Sequence, residues 1–263
     1  MASDVADGTG AADGAADGAV RGAADGAGGL LRWVPRAARA LLAEEGVQPT
    51  LERAVQLVVE HVPAAAGVSV TLHDRRGRTR TPVSTAPWVE RADALQYETG
   101  QGPCLRALRE REVVHVPDLA RDPEHPDWAA RVVAATPARS ALAFQLFTDD
   151  DQLGALNLYA TSTGAFGTGD VHRAHVLAAQ VAVALSSAQR EEQLREGMGT
   201  RTVIGQAQGI LMERYGLDGQ QAFRLLSRVS QDTNTRLHDV ARELVSTGRT
   251  PGAQDGTELR RER

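Results

Sequence analysis

The sequence contains no lysine: all 29 of its basic residues are arginine. That excludes Schiff-base chemistry and any phosphate-binding loop built around a lysine. A single cysteine, Cys104, excludes an intrachain disulfide and a cysteine-based zinc cluster. Aromatic residues make up only 4%, so the core must be assembled from Ala, Val and Leu. No apolar run reaches the roughly 18 residues a membrane helix needs, and the first 30 residues lack the basic-then-apolar pattern of a secretory leader. A cytoplasmic protein is therefore expected. The 34 acidic residues outnumber the basic ones for a net charge of −5, which excludes a uniformly basic nucleic-acid binder but not a locally basic module.

At 263 residues the chain has room for one large domain or two modest ones. Residues 1–30 repeat Ala-Ala-Asp-Gly with almost no large apolar side chain, so a disordered acidic tail is predicted. From 31 to 190 helix and strand signals alternate. Leu51, Ala54, Val55, Val58 and Val62 recur at helical spacing before Pro63. Val68, Val70 and Leu72 alternate with Ser69, Thr71 and His73, the pattern of a half-buried strand. Residues 79–85 return as an edge strand because of Pro82, and 112–116 form a third strand. Residues 140–147 and 153–160 form a hairpin. These successive antiparallel strands, with short helices between them, predict an α+β domain: an antiparallel sheet flanked by helices.

A long helix is predicted from near Asp170, and its Leu177, Val181 and Leu185 form an apolar seam suited to a homodimer. Gly197 and Gly199 are expected to interrupt it, each costing about 1 kcal/mol of helix propensity relative to Ala, so 191–199 is expected to act as a helical linker and hinge. Residues 200–248 read as three short helices, an all-α domain. Gly216 follows the first helix, Asp218 and Gln221 form a capping box at the second, and Asn234 or Thr235 caps the third before Gly248. Residues 249–263 are expected to be a flexible tail.

Cys104 lies in Gly100-Gln101-Gly102-Pro103-Cys104, entering a helix. It reads either as an activated thiolate or as a small buried side chain, and the chain offers no second cysteine to resolve it. His172 and His175 share a helix face but lack a third metal ligand at a fitting spacing. The serines have no nucleophile-elbow context, so no catalytic residues and no metal site are assigned. Residues 198–249 carry seven arginines against five acids and form the only net-positive stretch. There Arg224 and Arg228 stand one turn apart, opposite the apolar stripe of the second helix. Such arginines can pair with phosphates and stack on bases. Glu213, Asp232, Asp239 and Glu243 dilute the charge, and an ordinary solvated face is the alternative.

The run from Thr200 to Arg214, with the Ala207-x-Gly209-Ile210-Leu211-Met212 block, and the following Ala222-Phe223 and Leu237–Ala241 segments strongly resemble the ANTAR family of RNA-binding antiterminators. Residues from about 45 to 190 resemble a GAF sensor domain of the kind fused to ANTAR in actinobacterial regulators. The matching pieces are Gly100–Cys104, Val116–Leu119, Leu153–Tyr159 and Ala165-Phe166. The resemblance implies a signal-responsive antiterminator that binds paired RNA hairpins in nascent transcripts as a homodimer, with Arg201, Gln208, Arg224, Arg228 and Arg236 on the RNA. Gln208 stands where many members carry lysine. A small-molecule ligand would sit in a GAF pocket near Tyr97, Cys104, Leu105, Asp118 and Phe144; nothing in the sequence names a cofactor or the ligand. Two other classes remain open: a DNA-binding regulator with a GAF input, and a GAF-type redox enzyme such as a free-methionine sulfoxide reductase.

Overall fold

Alternation along the strands divides one sheet into two unlike faces. In β1 (Gly67–His73) Val68, Val70 and Leu72 point one way, and Ser69 and Thr71 the other. In β4 (Ser140–Phe147) and β5 (Gln152–Ala160) the first face continues as Leu142, Phe144, Leu146, Leu156 and Leu158. The second carries Ala141, Ala143, Ala155, Asn157 and Tyr159. With β2 (Thr79–Ser84) and β3 (Val113–Val116) at the edges, the sheet has the order β2-β1-β5-β4-β3, antiparallel throughout. The register sets Asn157 of the central strand opposite Ser69 on one side and Ala143 on the other. The computed structural model describes residues 32–74, 77–110, 113–148 and 151–249. The expected tails, Arg249 apart, lie outside the described residues.

The aliphatic face is covered by α1 (residues 32–42), α2 (Val47–His61) and the first turns of α6 (Thr168–Tyr215). The smaller, more polar face lies under α3 (Pro87–Thr99), α4 (Pro103–Glu110) and α5 (Pro126–Ala135). Proline opens α3 at its first turn, where no amide donor is required, and Gly100 ends it in the left-handed region at φ 67. Because helices cover both faces, Ser69 and Thr71 are fully buried, and the half-buried strand expected from alternation is not what forms.

Two further expectations are corrected. Leu177, Val181 and Leu185 do not form an exposed seam: all three are buried in the aliphatic core against the sheet. The helix also does not break at Gly197 or Gly199 but continues through both to Tyr215. A glycine penalty of about 1 kcal/mol is too small to stop a helix that has turns on either side.

The chain divides into two compact units between Gln189 and Arg190. In the second unit the last turns of α6, α7 (Gly219–Asp232) and α8 (Leu237–Thr247) pack around Ala207, Leu211, Ala222, Leu226, Val240, Ala241 and Leu244. Each helix contributes one fully buried alanine, which lets three short helices approach closely. The capping box forms as expected, with Asp218 accepting from the Gln221 amide at 2.7 Å and the Gln221 side chain accepting from the Asp218 amide at 2.9 Å. Gly216 and Gly248 are left-handed as expected, whereas the N-cap of α8 is Arg236, not Asn234 or Thr235. Ser230 instead bonds the Thr235 carbonyl at 2.6 Å. Among the described residues no helix is long and apolar enough to cross a membrane.

Candidate ligand cage and nucleic-acid face

Under α3 and α4 the sheet carries a buried polar cage centred on Asp93. Helical spacing from Val89 and Ala92 turns Asp93 and Gln96 inward, above the small strand side chains. The Asp93 Oδ2 accepts from Ser69 at 2.6 Å and from Thr81 at 2.9 Å. Its Oδ1 accepts from Tyr159 at 2.6 Å, Asn157 at 3.2 Å and Gln96 at 3.5 Å. Tyr97 shares its hydroxyl with Thr71 and Thr81, each at 2.8 Å. Gln96 also donates to the Tyr159 hydroxyl at 3.0 Å and accepts from the Cys104 amide at 2.8 Å. The left-handed Gly102 makes this last contact feasible, since a Cβ there would collide with the Gln96 amide. Among the described residues, the Asn157 Oδ1 has no hydrogen-bond partner.

Burial dominates the electrostatics of the cage. It raises the Asp93 carboxyl above its ordinary 3.8, against hydrogen bonds that favour the charged form. The Tyr97 and Tyr159 hydroxyls are raised by the same burial and, secondarily, by Asp93. The Cys104 thiol is pushed up to about 12 by burial, with Asp93 adding to it. A thiol held protonated at neutral pH is a poor nucleophile and a poor redox centre, which favours the small-buried-side-chain reading of Cys104.

Of the residues expected at the pocket, the structure brings together Tyr97, Cys104 and Leu105, the last packing with Cys104, Leu108 and Ala155. It does not bring Asp118 or Phe144 there. The Asp118 carboxylate caps a short 3-10 turn, accepting from the Ala120 amide at 3.0 Å. Phe144 lies on the aliphatic face, edge-on to His175, because strand alternation turns it away from Ala143. The residues the sequence reading missed are Asp93, Gln96, Thr81, Asn157 and Tyr159. The available signal was Asn157 inside an otherwise apolar strand, together with Asp93 and Gln96 at core spacing in α3.

Among the described residues, one trio of metal-ligating types comes within 4.8 Å: Asp122, Glu124 and His125. Asp122 already bonds the His125 Nδ1 at 2.7 Å, and Glu124 pairs with Arg106. His172 and His175 line a surface pocket with His115 and Phe166.

In the second unit the five residues expected on RNA lie on α6, on α7 and at the start of α8. Arg201 and Gln208 are seven residues apart on α6 and so share a helix face; Arg224 and Arg228 do the same on α7. Arg201, Arg224, Arg228 and Arg236 are exposed, and none makes a hydrogen bond or ion pair to a described residue through its side chain. By contrast, Arg214 is tied to the Gly248 carbonyl at 2.8 Å, and Arg242 to His238 and Asp239. Gln208 and Arg224 line one open groove with Asp218, Gly219, Gln220 and Phe223. Arg201, Arg228 and Arg236 are not part of that groove.

A five-stranded antiparallel sheet with a buried polar cage under one helical layer is thus followed by a three-helix module whose Arg201, Arg224, Arg228 and Arg236 side chains have no partner among the described residues. The GAF domain family model matches residues 44–186 and the ANTAR domain model residues 192–245. The chain therefore belongs to the GAF domain family and carries an ANTAR domain behind it, the architecture of a GAF–ANTAR regulator.

Solved structures resemble the GAF fold. A bacteriophytochrome from R. palustris aligns with a TM-score of 0.51 at 13% identity, covering 76% of this chain and 46% of that one. The GAF domain of an Acinetobacter phosphoenolpyruvate-protein phosphotransferase gives 0.48 at 14% identity, covering 62% and 96%. The free methionine-R-sulfoxide reductase from Neisseria meningitidis gives 0.45 at 18% identity, covering 60% and 89%. No curated relative matches the chain. The two domains together are those of a sensing regulator of the RNA-binding, antiterminating type, and the architecture is that of regulators rather than enzymes.

Proposed function

We propose that this protein is a signal-responsive antiterminator whose ANTAR domain binds paired hairpins in nascent transcripts. It would work as a homodimer in the cytoplasm, where those transcripts are made. The observation that carries the reading is the set of arginines whose side chains have no partner among the described residues, Arg201, Arg224, Arg228 and Arg236, on a module that matches the ANTAR family. Three small helices suit unstacked loop bases and backbone phosphates, since they do not need to enter a deep A-form groove. Two hairpins call for two copies of the module. Leu194 and Met198, one turn apart and 66% and 61% exposed on α6, support a helix-to-helix contact between copies in place of the buried seam. The test is a gel shift of the full chain on tandem RNA hairpins and on duplex DNA of matched length. Retention of the RNA alone supports the reading; preferential retention of duplex DNA would replace it with the DNA-binding alternative.

The input enters at the GAF cage through a small molecule, and Gly197 and Gly199 set the balance between two arrangements of the connecting helix. A ligand shifts that balance only if it favours one arrangement. Both glycines are open to a Cβ, with nothing within 4 Å, so alanine can be introduced at each without a clash. Gly197→Ala with Gly199→Ala should stabilise the continuous helix by about 1–2 kcal/mol in total. Ligand-free RNA affinity then rises if the straight helix is the competent form. Equal affinities in the double variant and the wild type would leave these glycines a passive tether.

A further inference from the structure

At the β3 edge of the sheet the aliphatic face is left partly uncovered. Strand alternation sends Val114 and Val116 of β3 into the core beneath α3 and α5. Val113 and His115 turn the other way, paired with Phe144 and Leu142 of β4. Helices α1, α2 and α6 cover most of that face, yet Val113, Phe147 and Val183 remain 37%, 48% and 59% exposed. With Phe144, Ala179 and Ala182 they line a trough of about 420 Å³ between the strand edge and α6. Apolar side chains grouped around one concavity cost free energy while water fills it, and one apolar ligand can cover them together.

The trough adjoins a second hollow of about 360 Å³, and His175 lines both. His115 and His172 line the second hollow with it, so three imidazoles gather at one end of an apolar channel. His115 stands edge-on to Phe166 with ring centres 6.4 Å apart, and His175 edge-on to Phe144 at 6.0 Å. None of the three makes a hydrogen bond or ion pair to a described residue. They are not a metal site, since among the described residues only Asp122, Glu124 and His125 bring three ligand atoms within 4.8 Å. No acid among the described residues lines either hollow, and Asp170, in the first turn of α6, is paired with Arg173 at 2.7 Å.

We propose that this channel binds a long-chain fatty acid, with the alkyl chain laid along α6 and the carboxylate held by His115, His172 and His175. The site lies on the opposite face of the sheet from the Asp93 cage and gives the GAF domain a second ligand, beyond the one proposed for the cage. From Val171 to Val183 the helix rises roughly 18 Å, a span that suits an extended chain better than a compact ring. Ala179 and Ala182 leave room for it along the helix. Imidazole N–H groups donate to carboxylate oxygens, and bonds to an ionised partner are the strong kind. An uncharged lipid would leave the imidazoles unused, and a small hydrophilic anion would leave the apolar wall in water.

The test is equilibrium dialysis of the full chain against radiolabelled myristate and against radiolabelled myristyl alcohol, which carries the same alkyl chain without the charge. Myristate should bind, and the alcohol should bind roughly 10-fold more weakly. His172→Leu with His175→Leu keeps an apolar wall but removes two donors, so this variant should no longer distinguish the two ligands. Ala179 is exposed on the helix, so Ala179→Glu should fold with an unchanged melting temperature while its carboxylate enters the trough and abolishes binding of both. Absence of myristate binding to the wild-type chain overturns the inference, as does equal binding of acid and alcohol. Undiminished myristate binding by folded Ala179→Glu places the fatty acid elsewhere and overturns it too. If Ala179→Glu instead converts a dimer to a monomer in light scattering while myristate leaves the wild-type dimer and its dialysis unchanged, the trough is the seat of a second copy and the inference falls.

Discussion

Asp93→Leu should destabilise the GAF domain by about 3–5 kcal/mol, whereas Asp93→Asn should stay folded and gain on wild type as the pH rises. Leucine would leave Ser69, Thr81, Asn157, Tyr159 and Gln96 facing an apolar group in a place that water does not reach. Asparagine fits because the two partners of Oδ2 are hydroxyls, which can reverse and accept from an amide, while Oδ1 keeps its three donors. The pH dependence has a definite sign. The folded carboxyl is raised above its ordinary 3.8 by burial, so below 3.8 it is protonated in both states and carries no penalty. As the pH climbs through the raised folded value, the unfolded chain ionises first, and stability is progressively lost. The gap between Asp93→Asn and wild type should therefore widen in favour of the asparagine variant as pH rises from about 4. Urea titrations across that range measure it; a gap that stays constant, or an asparagine variant as unstable as the leucine one, would refute a buried carboxyl with a raised pKa.

Arg224→Ala combined with Arg228→Ala should weaken hairpin binding by about 1–3 kcal/mol, or roughly 5- to 150-fold. It should also flatten the dependence on salt by about 0.7–0.9 in log–log slope for each phosphate contact removed. Neither side chain belongs to the helical core, so the loss is not one of folding. Arg242 supplies the contrast, since it is already engaged with His238 and Asp239. Its alanine variant should leave the salt slope nearly unchanged. Fluorescence titrations at several salt concentrations report both quantities, and a double variant with the wild-type slope would take Arg224 and Arg228 off the RNA.

Much of the architecture is written in short-range pattern. The strand alternation at 68–72 and 140–160, the capping box at Asp218 and Gln221, and the left-handed glycines at 216 and 248 each arise from constraints acting over a few residues. The failures at Asp118, Phe144 and the Leu177–Leu185 seam are of another kind. Pattern identifies an apolar stripe on a helix, but not whether a sheet or a second copy will cover it.

The sequence by itself determined the two modules, the order of their helices and strands, and the concentration of arginines in the second module. Those depend on local spacing, composition and matching motifs. Only the tertiary structure decided that Ser69, Thr71, Thr81, Asp93, Gln96, Asn157 and Tyr159 meet in one buried cage. It also decided that Phe223 and Gln208 share a groove with Arg224. These residues come from separate elements, and polar side chains carry no periodic signal of the partners that will satisfy them. A buried hydrogen-bond network forms only when packing removes water from all its members at once, so its membership is fixed by the fold as a whole.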